Sequence, residues 1–190
     1  MDIEWLEIAG VALLTPRRFE DARGYFSEVW NQRTFAALGL DLTFVQDNQS
    51  LSRSRGTIRG LHFQTPPFAQ GKLVRVLRGA IRDVAVDIRH GSPTFGRYVF
   101  ADLSAENGKM LWVPEGFAHG FATLEPDTEV CYKVTNFYDR DSDKGLLYND
   151  PALGIDWGVP EADVVLSEKD TRHPVLSALE PAFQYRTNAG

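Results

Sequence analysis

Residues 72–89 read KLVRVLRGAIRDVAVDIR. Lys72, Val74 and Val76 alternate with Leu73, Arg75 and Leu77; Arg78-Gly79 interrupts the run, and residues 81–88 resume it. β-Branched residues at a period of two are what strands require, so this stretch predicts a β-hairpin turning at Arg78-Gly79. Outward from it, the Gly91-Ser92-Pro93 loop leads to a strand over 98–103. Another over 110–113 stops at Pro114, and one over 128–137 carries Cys131 and Tyr132. Helical signals are few: residues 34–39 read as one short turn with Gly39 as its stop, and 161–166 is too short to decide. Strands at roughly ten-residue spacing predict an all-β protein, a sandwich or a closed barrel with a few short helices. No repeat, low-complexity tract or linker interrupts the chain, so residues 1–190 are expected to form a single domain, with a polar, frayed tail over 184–190.

The chain has 190 residues, about one domain at ~150 residues per domain, and can bury a core without disulfides or a structural metal. Its hydrophobic content of 43% and charged content of 24% exclude a disordered or fibrous chain. A single cysteine, Cys131, excludes an internal disulfide and a thiolate zinc cluster. The net charge of −6 lacks the basic field of a duplex binder, so nucleic acid is not expected as a partner. The start carries Asp2, Glu4 and Glu7 rather than a basic region leading an apolar stretch, and no apolar run approaches the ~18 residues of a membrane span. The expectation is a soluble, cytoplasmic protein with no membrane partner.

Of the four histidines, His90 and His173 stand beside Gly91 and Pro174 and read as solvated loop residues. His62 and His119 lie in segments dense in glycine and aromatics, GTIRGLHFQ at 56–64 and WVPEGFAHGF at 112–121. Gly56, five residues and His62 fit the start of one half of the cupin signature. Gly108, five residues, Pro114-Glu115-Gly116, two residues and His119 fit most of the other. The segments thus resemble those of a cupin-type jelly-roll β-barrel. The metal-binding cupins place a second histidine two residues after the first, where this chain has Gln64, and a glutamate soon after, where it has TPPFAQG at 65–71. Two histidines and an amide make a poor first-row metal site. No metal and no cofactor are expected, and His62 is left for proton chemistry.

Three other residues suit that chemistry. Lys72 shares a strand face with Val74 and Val76, and Tyr132 with Val130 and Val134, so both can point into an apolar interior. Asp170, in LSEKD at 166–170, is a free carboxylate. A base, a cation, a phenol and an orienting carboxylate suit proton abstraction next to a carbonyl. Each also has an ordinary role open to it: Lys72 as a snorkelling edge residue, Tyr132 as core, Asp170 as a turn acid.

At these residues the chain resembles the dTDP-4-dehydrorhamnose 3,5-epimerase family, metal-independent cupin enzymes of deoxysugar biosynthesis. The resemblance runs through FEDARGYFSE at 19–28, VQDN at 45–48, RGLHFQ at 59–64, GKLV at 71–74, VPEGFAHGF at 113–121, Tyr132-Lys133, Asn149-Asp150-Pro151, GIDW at 154–157 and LSEKD at 166–170. It implies His62 as the base that takes the C3 and C5 protons of a dTDP-4-keto-6-deoxysugar. It implies Asp170 as the partner of His62, Tyr132 as the acid on the opposite face, and Lys72 as the cation at the C4 oxygen. Arg23 and Arg59 would meet the pyrophosphate, where guanidinium forks suit paired anionic oxygens. Phe19 and Tyr138 would stack on thymine, while Glu28, Gln46 and Asn48 would hydrogen-bond the nucleotide. His119 and Lys169 would line the sugar–phosphate end. The family is typically homodimeric, its N-terminal part reaching toward the partner's nucleotide pocket, so a homodimer is implied here too.

Two features depart from a simple carry-over. On an ideal strand Arg59 and His62 have opposite parity and face opposite ways, and a bulge at Gly60 would re-aim one of them. Asp143, a substrate-binding candidate by the same resemblance, stands where the family usually has glutamate, which keeps the charge and shortens its reach. Three other readings stay open on the residues: a relative that epimerises only C3 or isomerises the keto group, a metal-dependent cupin oxygenase, and a non-catalytic sugar-binding barrel.

Overall fold

A computed structural model describes residues 1–186. Its strands are β1 (Asp2–Trp5), β2 (Ala12–Thr15), β3 (Phe19–Asp21), β4 (Gly24–Phe26), β5 (Gln46–Ser52), β6 (Ile58–Gln64), β7 (Lys72–Arg78) and β8 (Ala80–Asp87). They continue with β9 (Arg89–His90), β10 (Tyr98–Ser104), β11 (Met110–Val113), β12 (Phe117–Thr123), β13 (Thr128–Val134), β14 (Asp143–Gly145) and β15 (Phe183–Gln184). One helix, α1 (Gln32–Ala37), lies between β4 and β5.

The strands form two main sheets, one in the order β1-β2-β11-β7-β13-β5 and one in the order β10-β8-β12-β6-β14. Their inner faces meet in a shared core. Val74, Val76, Leu111 and Val130 come from the first sheet, and Ile81, Ala85, Leu103, Phe117 and Phe121 from the second. The outer faces are covered as well. Leu153, Trp157 and the C-terminal segment through Phe183 close over Val84, Val86, Ala118 and Ala122. Phe35 of α1 and Leu40 close over Leu14, Leu73 and Met110. This double burial shows in β8, where residues 83–87 are all buried although successive side chains point to opposite faces. Together the sheets make the jelly-roll barrel of the cupins. Among the described residues no helix is long and apolar enough to cross a membrane.

The strands predicted over 72–89 form, but they do not pair as a hairpin. β7 pairs with β11 and β13, and β8 with β10 and β12. Arg78-Gly79 is instead a corner that carries the chain from one sheet to the other, with Gly79 at φ +77°. Alternation cannot separate these cases, because it sets which face each side chain takes and not which strand lies beside it. The strand expected over 128–137 ends at Val134, and Asn136 turns away to donate to the Pro67 carbonyl. The turn expected over 34–39 is α1, started earlier by Asn31, whose side chain accepts from the Arg33 and Thr34 amides. Residues 161–166 yield only one 3-10 turn, Glu161–Asp163. The tail expected over 184–190 is tied down at its start, since Phe183 and Gln184 pair in parallel with Arg89 and His90. Residues 187–190 lie outside the described residues.

Candidate active site

Strand parity aims the chemistry at the space between the sheets. In β7 the residues in step with Val74 and Val76 face inward, and Lys72 is in step with them; in β13 the same holds for Tyr132 beside Val130. In β12, Phe117 and Phe121 face inward, and so does His119 between them. β6 departs from parity. Ile58, Leu61 and Phe63 all face the outer core, which requires a slipped residue between 58 and 61. The register shows it: Arg59 pairs with Phe121 and His62 with His119, three residues on β6 against two on β12. The bulge expected at Gly60 is therefore present, and it turns both Arg59 and His62 inward. Gly60 is at φ +136°, and a Cβ there would sit 2.6 Å from the Gly120 Cα, so only glycine fits.

These side chains line a cleft of about 570 Å³, together with Tyr138, Asp143, Lys169 and Asp170. His62 Nε2 and Asp170 Oδ1 are 2.6 Å apart. Asp170 is buried and also accepts from Ser167 Oγ at 2.9 Å. Burial pushes the Asp170 carboxyl up, but the His62 hydrogen bond and charge, with Ser167, outweigh it and hold it below the usual carboxylate range. An ionised Asp170 can only accept, so His62 Nε2 carries the proton and its lone pair is on Nδ1. Lys72 stands across the cleft with Nζ 3.4 Å from the His62 carbonyl oxygen. Burial lowers its ammonium to about 8, with Asp83 and Asp143 opposing the fall. Burial raises the Tyr132 phenol, against the Arg59 charge. Lys169 Nζ and the Tyr138 hydroxyl both donate to Asp143, at 2.5 and 3.2 Å. The shorter acid at 143 thus still gathers the rim of the cleft.

Gln64 is fixed by the backbone rather than free for a ligand. Its Nε2 donates to the Phe68 and Phe137 carbonyls, and its Oε1 accepts from the Asp139 amide. Five sequence candidates do not line the cleft. Gln46 and Asn48 sit on β5 beside it: the Gln46 side chain accepts from the Tyr138 amide, and Asn48 pairs opposite Tyr132. Phe19 and Arg23 belong to the β3–β4 hairpin, where Phe19 is exposed and Arg23 pairs with its neighbour Asp21. Glu28 accepts from Asn31 and Thr34 at the start of α1.

Two residues went unseen in the sequence. Asp83, fully buried, lies 2.7 Å from His119 Nε2 and forms a second histidine–carboxylate pair. Burial lowers the His119 imidazole against the pull of Asp83. The signal was there, because Asp83 falls in step with Ile81 and Ala85, an acid on an apolar face. His173 is not the solvated loop histidine expected. Its side chain is 11% exposed, and Nε2 is 3.6 Å from Asp170 Oδ1. A loop position beside proline carries no signal of that burial.

The sequence profile described as dTDP-4-dehydrorhamnose 3,5-epimerase matches residues 5–178. The chain belongs to this epimerase family. A curated dTDP-4-dehydrorhamnose 3,5-epimerase from Sinorhizobium fredii is 56% identical over 97% of this chain and 94% of its own length. The solved epimerase of Legionella pneumophila, in complex with dTDP-4-keto-L-rhamnose, is 41% identical at a TM-score of 0.93 and covers 98% of this chain and 99% of that one. The Bacillus anthracis enzyme, solved with TDP and pyrophosphate bound, is 48% identical at 0.87, covering 92% and 99%. The activity of the family member described here is accordingly that of an isomerase, a 3,5-epimerase.

Proposed function

We propose that this epimerase converts dTDP-4-dehydro-6-deoxy-D-glucose to dTDP-4-dehydro-L-rhamnose with the residues of the cleft alone. His62 Nδ1 takes the proton from C3 or C5, each acidified by the C4 carbonyl, while Asp170 stabilises the imidazolium that forms. The electron pair of the broken C–H bond moves onto the C4 oxygen, which the Lys72 ammonium stabilises. Tyr132 returns a proton to the opposite face of the same carbon, and repetition at the second carbon completes the inversion. One proton leaves and one arrives at each centre, so substrate and product are isomers. The single observation that supports this best is His62 on one sheet, hydrogen-bonded to Asp170 of a 3-10 turn, facing Lys72 and Tyr132 on the other sheet.

Arg59, Tyr138, Gln46 and Asn48 are the proposed nucleotide contacts within one chain, with His119 and Lys169 near the sugar–phosphate. Phe19 and Arg23 are proposed to serve the cleft of a second copy in a homodimer. Their exposure, with that of Tyr25 at 58% and Phe26 at 71%, supports a hairpin that reaches outward. The test of the base is His62→Ala. Exchange of the C3 and C5 protons with solvent falls by at least ~100-fold, the lower range for loss of an acid–base group, while dTDP still binds. Retained exchange would remove His62 from this role.

A further inference from the structure

The mechanism uses His62 and Asp170 but leaves their third neighbour, His173, without a task. The ring of His173 packs edge-on against His62, with centroids 5.5 Å apart at 77°. Its Nε2 is buried and has no hydrogen-bond partner among the described residues, which is costly unless something binds it. Room for the ring is made by Gly145, the register partner of His62 on β14, where a Cβ would collide with it. His173 does not line the catalytic cleft. It lines a second cleft of about 620 Å³ that meets the first at Phe63 and Asp143.

His62, Asp170 and His173 each offer a ligand atom, and these atoms lie within 4.8 Å of one another. Two imidazoles and a carboxylate are donors suited to zinc and its first-row neighbours. Bonds of ~2.0–2.2 Å in a tetrahedron set ligand atoms roughly 3.3–3.6 Å apart. The His173–Asp170 separation of 3.6 Å already meets this. The His62–Asp170 hydrogen bond of 2.6 Å has to open by ~0.7 Å to reach it. We propose that His62, Asp170 and His173 form an inhibitory site for a divalent transition-metal cation, filled from the second cleft and completed by water. The cation takes the lone pair of His62 Nε2, and the single proton of that neutral imidazole moves to Nδ1. His62 then has no lone pair left with which to accept a substrate proton. The nucleotide contacts are untouched, so the cation abolishes turnover without displacing dTDP. The inhibition, though not the metal binding, rests on His62 being the base.

The test uses chelator-stripped full-length protein, with Co²⁺ as the optical probe and Zn²⁺ as the inhibitor. Co²⁺ gives the visible ligand-field absorption of a tetrahedral site. Zn²⁺ stops epimerisation while the dTDP Kd, measured by calorimetry, stays constant, and a chelator restores the rate. In His173→Gln, and in Gly145→Ala, which pushes the ring away, half-inhibition relative to each variant's own metal-free rate needs at least ~10-fold more Zn²⁺. That is the lower bound seen even for loss of an outer-shell partner. Absence of the Co²⁺ absorption overturns the site, as does Zn²⁺ sensitivity in both variants unchanged from that of the unsubstituted protein, or competition between Zn²⁺ and dTDP. A His173-dependent Co²⁺ spectrum with undiminished turnover overturns the inhibition and locates the failure in the base assignment instead.

Discussion

Lys72 is the residue on which burial acts most visibly. Its ammonium is held at about 8, well below the ordinary lysine value of ~10.4, because desolvation outweighs the attraction of Asp83 and Asp143. Its charge is complete below that value and lost above it. If the charge stabilises the enolate, kcat falls as pH rises through about 8. In Lys72→Arg, whose guanidinium stays protonated, this alkaline limb moves upward; a pH–rate profile of both proteins checks it, and an unmoved limb would assign the titration elsewhere. The same scale shows what sequence can reveal. Lys72 and Tyr132 were legible because residue type and parity, joined to the family resemblance, aimed them inward, and Asp170 because the resemblance gave a free carboxylate its role. Asp83 was legible in principle, since it breaks the apolar face of β8. His173 was not, because its burial comes from a 3-10 turn folding back onto Gly145, a contact between segments that no local pattern encodes.

At the scale of elements, the bulge in β6 decides whether the site exists. A regular strand would point Arg59 and His62 to opposite faces, and the slipped residue at Gly60 points both into the cleft. Gly60→Ala meets both a backbone that L residues rarely adopt and the Gly120 backbone 2.6 Å away. The backbone strain alone costs of order 1–3 kcal/mol. At roughly 2–4 °C per kcal/mol for a chain of this size, thermal denaturation should show a Tm lower by about 2–12 °C. Activity should fall further than stability explains, because the register of His62 moves with the bulge. The opposite parity of Arg59 and His62 made this bulge readable in advance. The corner at Gly79 was less readable. β7 and β8 alternate faces in the same way whether they pair with each other or with other strands, so their partners depend on distant β10–β13.

Across the whole molecule, two facing sheets divide the work. The five-stranded sheet brings His62, His119 and Arg59, and the six-stranded sheet brings Lys72 and Tyr132. Inversion at a carbon needs a proton removed from one face and returned to the other, and a barrel with chemistry on both walls supplies two faces. Arg59, Lys72 and Lys169 also gather at the cleft, a local field that can receive a pyrophosphate despite the net charge of −6. The most direct test is proton NMR of dTDP-4-keto-6-deoxyglucose incubated with the chelator-treated protein in D₂O. The expected result is loss of both the C3 and the C5 proton signals as deuterium replaces them. Loss of the C3 signal alone, or of neither, would contradict one base serving both carbons.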